Sequence, residues 1–407
     1  RGIRTRFSDD LLWLVYVTCE YIETTNDDSI LDSMIPYIQG EQLKEGQDES
    51  YDFHPKSEVE ETLYEHCKKA IKKALNFGKD GLPKIGSGDW NDGFSAVGNK
   101  GRGTSIWLGF FLYDILEKFK KICEQRDEPK LLEEYEKVQA NLKKALNTIG
   151  WDGRWYKRAI TDDGDALGSI ENDECRIDSI SQSWACISGA GDNDKKYISM
   201  NSLETHLVDK ENGIIKLLDP PFDKGKFKPG YIKAYLPGVR ENGGQYTHAA
   251  IWAVMAEALL GFGNKAVEYY RMINPIEHSK TKEESQKYKV EPYAIPGDVY
   301  GANNLAGRGG WTWYTGSSSW YYKVGIENIL GLQIKKGKLI IEPCIPEDWK
   351  EYEIRYHFKS SIYHIKVKNP DRKNTGVTQI LCNGEECKEK EIPLIDDGKI
   401  KEIEAIM

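Results

Sequence analysis

The sequence predicts a mainly helical body, a toroid of helices, followed by a small antiparallel β domain. Three observations carry this. Apolar residues recur at helical spacing through the first three quarters of the chain, and glycine- and tryptophan-rich loops separate the helical runs. After Gly331 the texture changes to short β-rich runs with hairpin-turn dipeptides. The helical body is expected over 1–328 and the β domain over 329–407.

Ser8, with Asp9 and Asp10 after it, reads as an N-cap with acids in the first turn, opening the helix "LLWLVYVTCEYIETT". Ser57 and Glu60 have capping-box spacing, and Leu63, Cys67, Ala70, Ile71 and Leu75 follow at helical intervals, predicting a helix from there. Further helices are predicted in "SIWLGFFLYDILEKFKKICE", "PKLLEEYEKVQANLKKALNTI", "SISQSWACIS", "THAAIWAVMAEALLG", "NKAVEYYRMI" and "SSSWYYKVGIENILG". No short period repeats, which excludes a simple solenoid. Beyond Gly331, "KGKLIIEP", "YEIRYHF" and "SIYHIKVKN" read as strands, and Asn383-Gly384 and Asp397-Gly398 as hairpin turns.

A net charge of −9 with interspersed acids and bases argues against a nucleic-acid or anionic-membrane partner. No apolar run reaches the length of a membrane span, so no membrane contact is expected. The eight cysteines are scattered without a CxxC pair or zinc-ligand spacing, which predicts reduced thiols in a cytoplasmic protein. The acidic run Thr161–Asp165 lacks the remaining ligands of a calcium loop and reads as a hairpin turn, so no metal is expected. The chain begins "RGIRTRFSDD", without Met or signal peptide, and runs at once into a helix pattern. It is expected to start inside a larger protein.

Three segments between predicted helices carry chemistry. In "IGSGDWNDGF" two acids and an asparagine surround an indole. A turn accounts for Gly, Asn and Asp, but not for Trp90. Sugar C–H faces stack on aromatic rings while hydroxyls bond to Asp and Asn, and glycosidic cleavage needs a general acid. Asp92 and Asp89 both fit that role. In "RENGGQYTHAAIW" His248 lies near a predicted helix start, where imidazole and free N–H groups can bind an anion; an ordinary core histidine fits as well. Glu241 is a rival acid or base in the same loop. In "GRGGWTWYTGSSSWYY" Thr315-Gly316-Ser317 precede another helix start, suiting phosphate or sulfate. An acid, stacking aromatics and an anion site together point to phosphorolysis. Phosphate is already a charged nucleophile, so no second carboxylate is needed to activate water.

These runs, with "GRGTSIWLGFFL" and "IDSISQSWACISGAGD", occur in an order that resembles glycoside hydrolase family 94 over nearly the whole chain. The family includes cellobiose and chitobiose phosphorylases, β-1,2-oligoglucan phosphorylases and the C-terminal part of cyclic β-1,2-glucan synthases. The wording "RTRFSDDLLWL" and "IGSGDWNDG" is most similar to the β-1,2-glucan branch. The resemblance implies an (α/α)6 barrel, N-terminally truncated here, with a C-terminal β domain. It implies inverting phosphorolysis of a β-glucoside to α-glucose 1-phosphate. Oligosaccharide and inorganic phosphate are then the partners, with no other cofactor. By the same resemblance Asp92 is the general acid, and His248, Thr315 and Gly316 bind phosphate. Arg4, Asp10 and Trp90 hold the donor sugar, Arg240 lies near the acceptor, and Gln182 and Gln245 are further pocket candidates. Relatives pair as dimers, so a homodimer is expected. Phe94 stands where relatives commonly carry Met, an exchange expected to tune packing.

Two other readings fit the same residues. One is an inverting glucosidase with water as nucleophile and Glu241 as base. The other is a catalytically silent carbohydrate-binding domain of a glucan synthase.

Overall fold

The computed structural model describes residues 2–387 and 389–407. The chain divides into two compact units, on a line different from the change of texture near residue 329. The first comprises Arg1–Ile22, Asp27–Leu207 and Leu217–Gly243; the second comprises Glu23–Asn26, Val208–Lys216 and Gly244–Met407. The fold is mixed rather than mostly helical, with 37% of the chain in helices and 22% in strands.

The first unit holds α1 (Asp10–Thr25, whose last turn belongs to the second unit), α2 (Leu63–Ala74), α3 (Ile106–Gln125), α4 (Pro129–Thr148), α5 (Ser179–Ile187) and α6 (Asn193–Leu207). Its core forms around α3, which is apolar on nearly every side and buries Trp107, Phe110, Phe111 and Phe119. Trp13 of α1 meets Phe111 at 4.5 Å, Tyr64 of α2 stacks on Phe119 at 5.6 Å, and Trp184 of α5 meets Phe111 at 5.2 Å. Such aromatic pairs add about 0.5–1.5 kcal/mol beyond their area burial.

The helix expected from Ser57 starts later. Lys56–Thr62 is a strand paired with Met34–Ile38, and α2 begins at Leu63 with Thr62 as its cap, accepting from Glu65 N at 3.2 Å. The segment holds two successive cap spacings, Ser57/Glu60 and Thr62/Glu65, and pairing with Met34–Ile38 takes the first out of helical conformation. A second hairpin pairs Gly2–Thr5 with Glu49–Asp52. These strands, and α6, were not legible as such. The Thr161–Asp165 turn joins two short strands, Ala159–Ile160 and Ala166–Leu167.

The second unit contains α7 (Thr247–Leu259), α8 (Gly263–Met272), α9 (Lys282–Tyr288) and α10 (Thr315–Lys323), the last continuing into a π-helix, Val324–Ile329. Two sheets follow. One pairs Leu332–Lys335, Lys338–Ile341 and Glu391–Pro393; the other orders Glu351–Phe358, Ser361–Lys368, Ile400–Ile406, Gln379–Cys382 and Glu385–Glu386. The expectation of a purely antiparallel domain is corrected, because Ser361–Lys368 and Ile400–Ile406 run parallel. Asn383 and Gly384 turn a two-residue hairpin, both at positive φ as a type I′ turn requires. Asp397-Gly398 instead folds against Ser361, whose Oγ accepts from both backbone N–H groups.

The expectation that all eight cysteines are free is corrected too. Cys382 and Cys387 flank that hairpin turn and are joined as a disulfide, while the other six are free and buried. Among the described residues no helix is long and apolar enough to cross a membrane, and no His/Cys/Asp/Glu group could hold a metal ion.

Candidate active site

The residues singled out in the sequence divide between the units. Arg4, Asp10, Trp90, Asp92, Gln182 and Arg240 lie in the first; Gln245, His248, Thr315 and Gly316 lie in the second.

In the first unit the loop 86–92 is anchored to the start of the chain. Phe7 bridges Gly86, and Ser8 donates to Gly88 O through both its N–H (3.0 Å) and its Oγ (3.1 Å). Gly88 sits at φ +141°, and a Cβ there would lie 3.1 Å from the Phe7 ring, so this crossing requires glycine. Within the loop, Asn91 N donates to Asp89 Oδ1 and Gly93 N to Asn91 Oδ1, each at 3.1 Å. These turns feed a short 3₁₀ turn over Asp92–Phe94.

The two acids that the motif left open now differ. Asp89 is 2% exposed, and both its oxygens are occupied. Arg158 forks them at 2.5 and 2.7 Å, and Ser105 Oγ donates to Oδ2 at 2.7 Å. Asp89 is therefore committed to structural hydrogen bonds. Asp92, three residues on, is half-buried, and its carboxylate acts on the Tyr231 hydroxyl. Burial first, then the Asp92 carboxylate, hold that phenol well above its usual range. Trp90 is half-buried beside Asp92, its indole 6.5 Å from that of Trp107.

Arg158 is wholly buried and also faces Asp178 Oδ2 at 3.6 Å. Asp178 caps α5 by accepting from Ile180 N, and Ser105 caps α3 by accepting from Leu108 N, each at 3.0 Å. Burial raises the Asp178 carboxyl to about 6 in spite of Arg158, whose fork is committed to Asp89. Asp9 is raised to about 7, first by burial and then by the Asp89 charge, and it accepts from Trp13 Nε1 at 3.0 Å.

Tyr231 reaches Asp92 from the turn Tyr231–Ala234. The preceding Gly230 sits at φ +123° with Ser95 N only 2.5 Å from where a Cβ would be. Arg240, at φ +52°, lies over the Tyr235 ring at 4.9 Å and 3.8 Å from Glu241 Oε2. Asp10 is exposed and accepts from Thr5 Oγ1, whereas the Arg4 guanidinium is tied to the carbonyls of Gly40 and Glu41.

Gln182 lies in the interior of the first unit. It is fully buried; its Oε1 accepts from Tyr156 N, and its Nε2 donates to Tyr156 O and Asp178 O, each at 2.8 Å. Gln245 is similarly committed, accepting from Ile215 N at 3.1 Å and donating to Thr247 Oγ1 at 3.3 Å. Both amides hold backbone in register.

In the second unit His248 stands in the first turn of α7, and Thr315 and Gly316 open α10. A Cβ on Gly316 would lie 3.8 Å from His248 Nδ1, so the three residues share one place. The imidazole packs on Trp252 at 4.5 Å and faces Trp320 at 6.1 Å. Burial pushes it down to about 3, so it is neutral at physiological pH. Two helix starts and a neutral imidazole are groups whose chemistry suits an anion.

Sequence reasoning missed Arg158, Asp178, Ser105, Asp9 and Tyr231. Asp178 and Ser105 carried a signal, as polar caps directly ahead of helical runs. Arg158 and Tyr231 carried none, since each meets its partner across a long stretch of chain.

A half-exposed carboxyl beside an indole suits a carbohydrate-active catalytic domain. The chain belongs to the glycosyl hydrolase 94 superfamily, whose catalytic-domain model matches residues 1–331. It is 43% identical to the cyclic beta-(1,2)-glucan synthase NdvB of Rhizobium meliloti (strain 1021), over 93% of this chain and 13% of that protein. It is 31% identical to the N,N'-diacetylchitobiose phosphorylase of Vibrio proteolyticus, over 94% of this chain and 45% of that protein. The chain thus spans less than half the length of these relatives. A GH78 family rhamnosidase of Bacillus sp. GL1 shares the fold at a TM-score of 0.55 and 11% identity, over 99% of this chain and 35% of that one.

Proposed function

We propose that this chain is the catalytic part of an inverting β-glucoside phosphorylase built on an (α/α)6 barrel. Phosphate attacks the anomeric carbon, the glycosidic bond breaks, and the products are α-glucose 1-phosphate and a shortened sugar. Asp92 delivers its proton to the departing oxygen, and His248, Thr315 and Gly316 bind phosphate. Trp90 and Asp10 contact the donor sugar, and Arg240 the acceptor. The substrate is a β-1,2-linked gluco-oligosaccharide, a reading supported by the relative named for β-(1,2)-glucan.

One observation carries the assignment of the acid: Arg158 and Ser105 occupy both oxygens of Asp89, while Asp92 keeps part of its surface open. A proton donor must reach its substrate, and of the two acids in this loop Asp92 is the accessible one.

The test is incubation with a panel of β-linked glucose disaccharides, with and without phosphate, following products by NMR. Phosphate-dependent formation of the α-configured sugar 1-phosphate, fastest from the 1,2-linked sugar, is expected. Free glucose released without phosphate would instead assign a hydrolase, with Glu241 as the base to examine.

A further inference from the structure

We infer that Arg158 is a positioning residue for the acid, setting where the Asp92 carboxyl stands by gripping Asp89. This rests on Asp92 being the proton donor.

The connection is short and continuous. The guanidinium forks Asp89, Asp89 Oδ1 accepts from Asn91 N, and Asn91 Oδ1 accepts from Gly93 N. Asp92 lies between the last two, at the start of the 3₁₀ turn.

Arg158 itself has little freedom. Its N donates to Leu167 O at 2.7 Å, and its O accepts from Ile106 N at 3.1 Å. The guanidinium lies over Phe94 at 5.0 Å and over Trp107 at 5.9 Å. Nη1 also donates to Ser105 Oγ at 3.2 Å, and Asp178 stands beyond Nε at 3.6 Å. Ser105 and Asp178 cap α3 and α5, so the grip on the acid loop is referenced to the starts of two helices. Bulk solvent does not reach these charges, because the Arg158 and Asp89 side chains are both at 0% exposure.

A buried ion pair is weak evidence of net stabilisation, since an apolar replacement is often as stable. A planar fork does fix orientation, and a lysine ammonium cannot reproduce it. Displacement of a catalytic group by about 1 Å can cost on the order of 10²-fold in rate.

Arg158→Lys separates positioning from stability when assayed on two donors in the presence of phosphate. An alkyl β-glucoside needs its leaving oxygen protonated. In 2,4-dinitrophenyl β-glucoside the aryl oxide departs without a proton while phosphate attacks the same carbon. On the alkyl glucoside kcat should fall by roughly 10–100-fold with KM for both substrates nearly unchanged. On the dinitrophenyl glucoside the variant should stay within about threefold of the wild type, because the acid has no part in that step.

Asp92→Asn run alongside keeps the two claims apart. If it loses both activities equally, Asp92 is not the acid, and the inference falls with that reading. If Asp92→Asn shows the split but Arg158→Lys loses both activities equally, or neither, positioning by Arg158 is wrong while the acid stands. Should Arg158→Lys fail to fold, Asp89→Asn, which abolishes the charged fork at near-constant shape, must show the same split. Failure of both variants to fold would make Arg158 a stability residue only and overturn the inference.

Discussion

Around Asp89 the first unit buries three carboxyl groups, those of Asp9, Asp89 and Asp178, with the single guanidinium of Arg158. Around His248 the second unit offers two indoles, the starts of two helices and an imidazole that burial keeps neutral. Under the proposed function the two regions serve opposite tasks. A proton donor has to be held at one spot, and fixed buried charges do that without helping to bind anything. An anion that must enter and leave is better served by backbone dipoles and neutral donors, which attract it without a compensating buried cation. The difference predicts that disturbing the first region changes rate and stability, and that disturbing the second changes the response to phosphate.

The largest expected effect is Asp92→Asn. Turnover of unactivated β-glucosides should fall by roughly 10²–10⁴-fold, the usual worth of a positioned general acid. The fold should survive, because Asp92 is half-buried and makes no ion pair among the described residues. Near-normal turnover would break the contrast at its centre. Next is Arg158→Ala, which leaves Asp89 and Asp178 buried without their cation and should lower unfolding free energy by about 3–5 kcal/mol. Denaturant titration reads this, and a loss below about 1 kcal/mol would mean the carboxylates find other company.

The titration of the buried carboxyls gives a smaller effect, with a sign opposite to that of the histidine. Asp9 and Asp178 are raised to about 7 and about 6, so the folded state holds their protons more tightly than the unfolded chain does. Their contribution favours folding at low pH and is lost as pH rises from about 4 to about 7. His248, pushed down to about 3, works the other way: its contribution is present above about 6.5 and is lost as pH falls toward 3. Asp9→Asn keeps an acceptor for Trp13 and removes the charge. The unfolding free energy of the wild type should therefore drop relative to this variant between pH 5 and pH 8. Parallel pH dependences would remove Asp9 from the buried carboxyl group.

Much of this arrangement was legible in sequence, and what was not has physical reasons. Long helices with clear periodicity, such as α3 and α7, could be read because their pattern is local. Strand pairs such as Met34–Ile38 with Lys56–Thr62 could not, because exposed hairpins lack a strong apolar alternation. Trp90, Asp92, His248 and Thr315 stood out through unusual residue types in glycine-rich loops. Gln182 and Gln245 stood next to the same motifs, but proximity in sequence does not tell a binding amide from one that staples backbone. Arg158 was the costliest omission. A buried arginine looks like any surface arginine until its partners, 53 and 69 residues earlier in the chain, are folded around it.

His248→Asn sharpens the anion side. Asparagine keeps a donor without a titratable ring, so KM for phosphate should rise by about tenfold with the sugar KM unchanged. Between pH 5 and 8 the wild-type phosphate KM should follow the ionisation of phosphate itself, since the imidazole is already neutral there. A break near pH 6.5 that disappears in the variant would make His248 a cation, and the contrast between the two regions would fail.

The smallest expected effect comes from Phe94→Met. Phe94 is fully buried, lies under the Arg158 guanidinium at 5.0 Å and meets Phe222 edge-on at 6.2 Å. Methionine fills similar volume but loses the ring face, so a destabilisation of about 0.5–1.5 kcal/mol is expected. If the hydrogen-bonded fork on Asp89 is what holds the acid loop, kcat should stay within about twofold, because a thioether leaves those bonds intact. A fall in kcat as large as that of Arg158→Lys, again confined to unactivated leaving groups, would shift the origin of positioning. The ring that clamps the guanidinium would then matter as much as the carboxylate it grips.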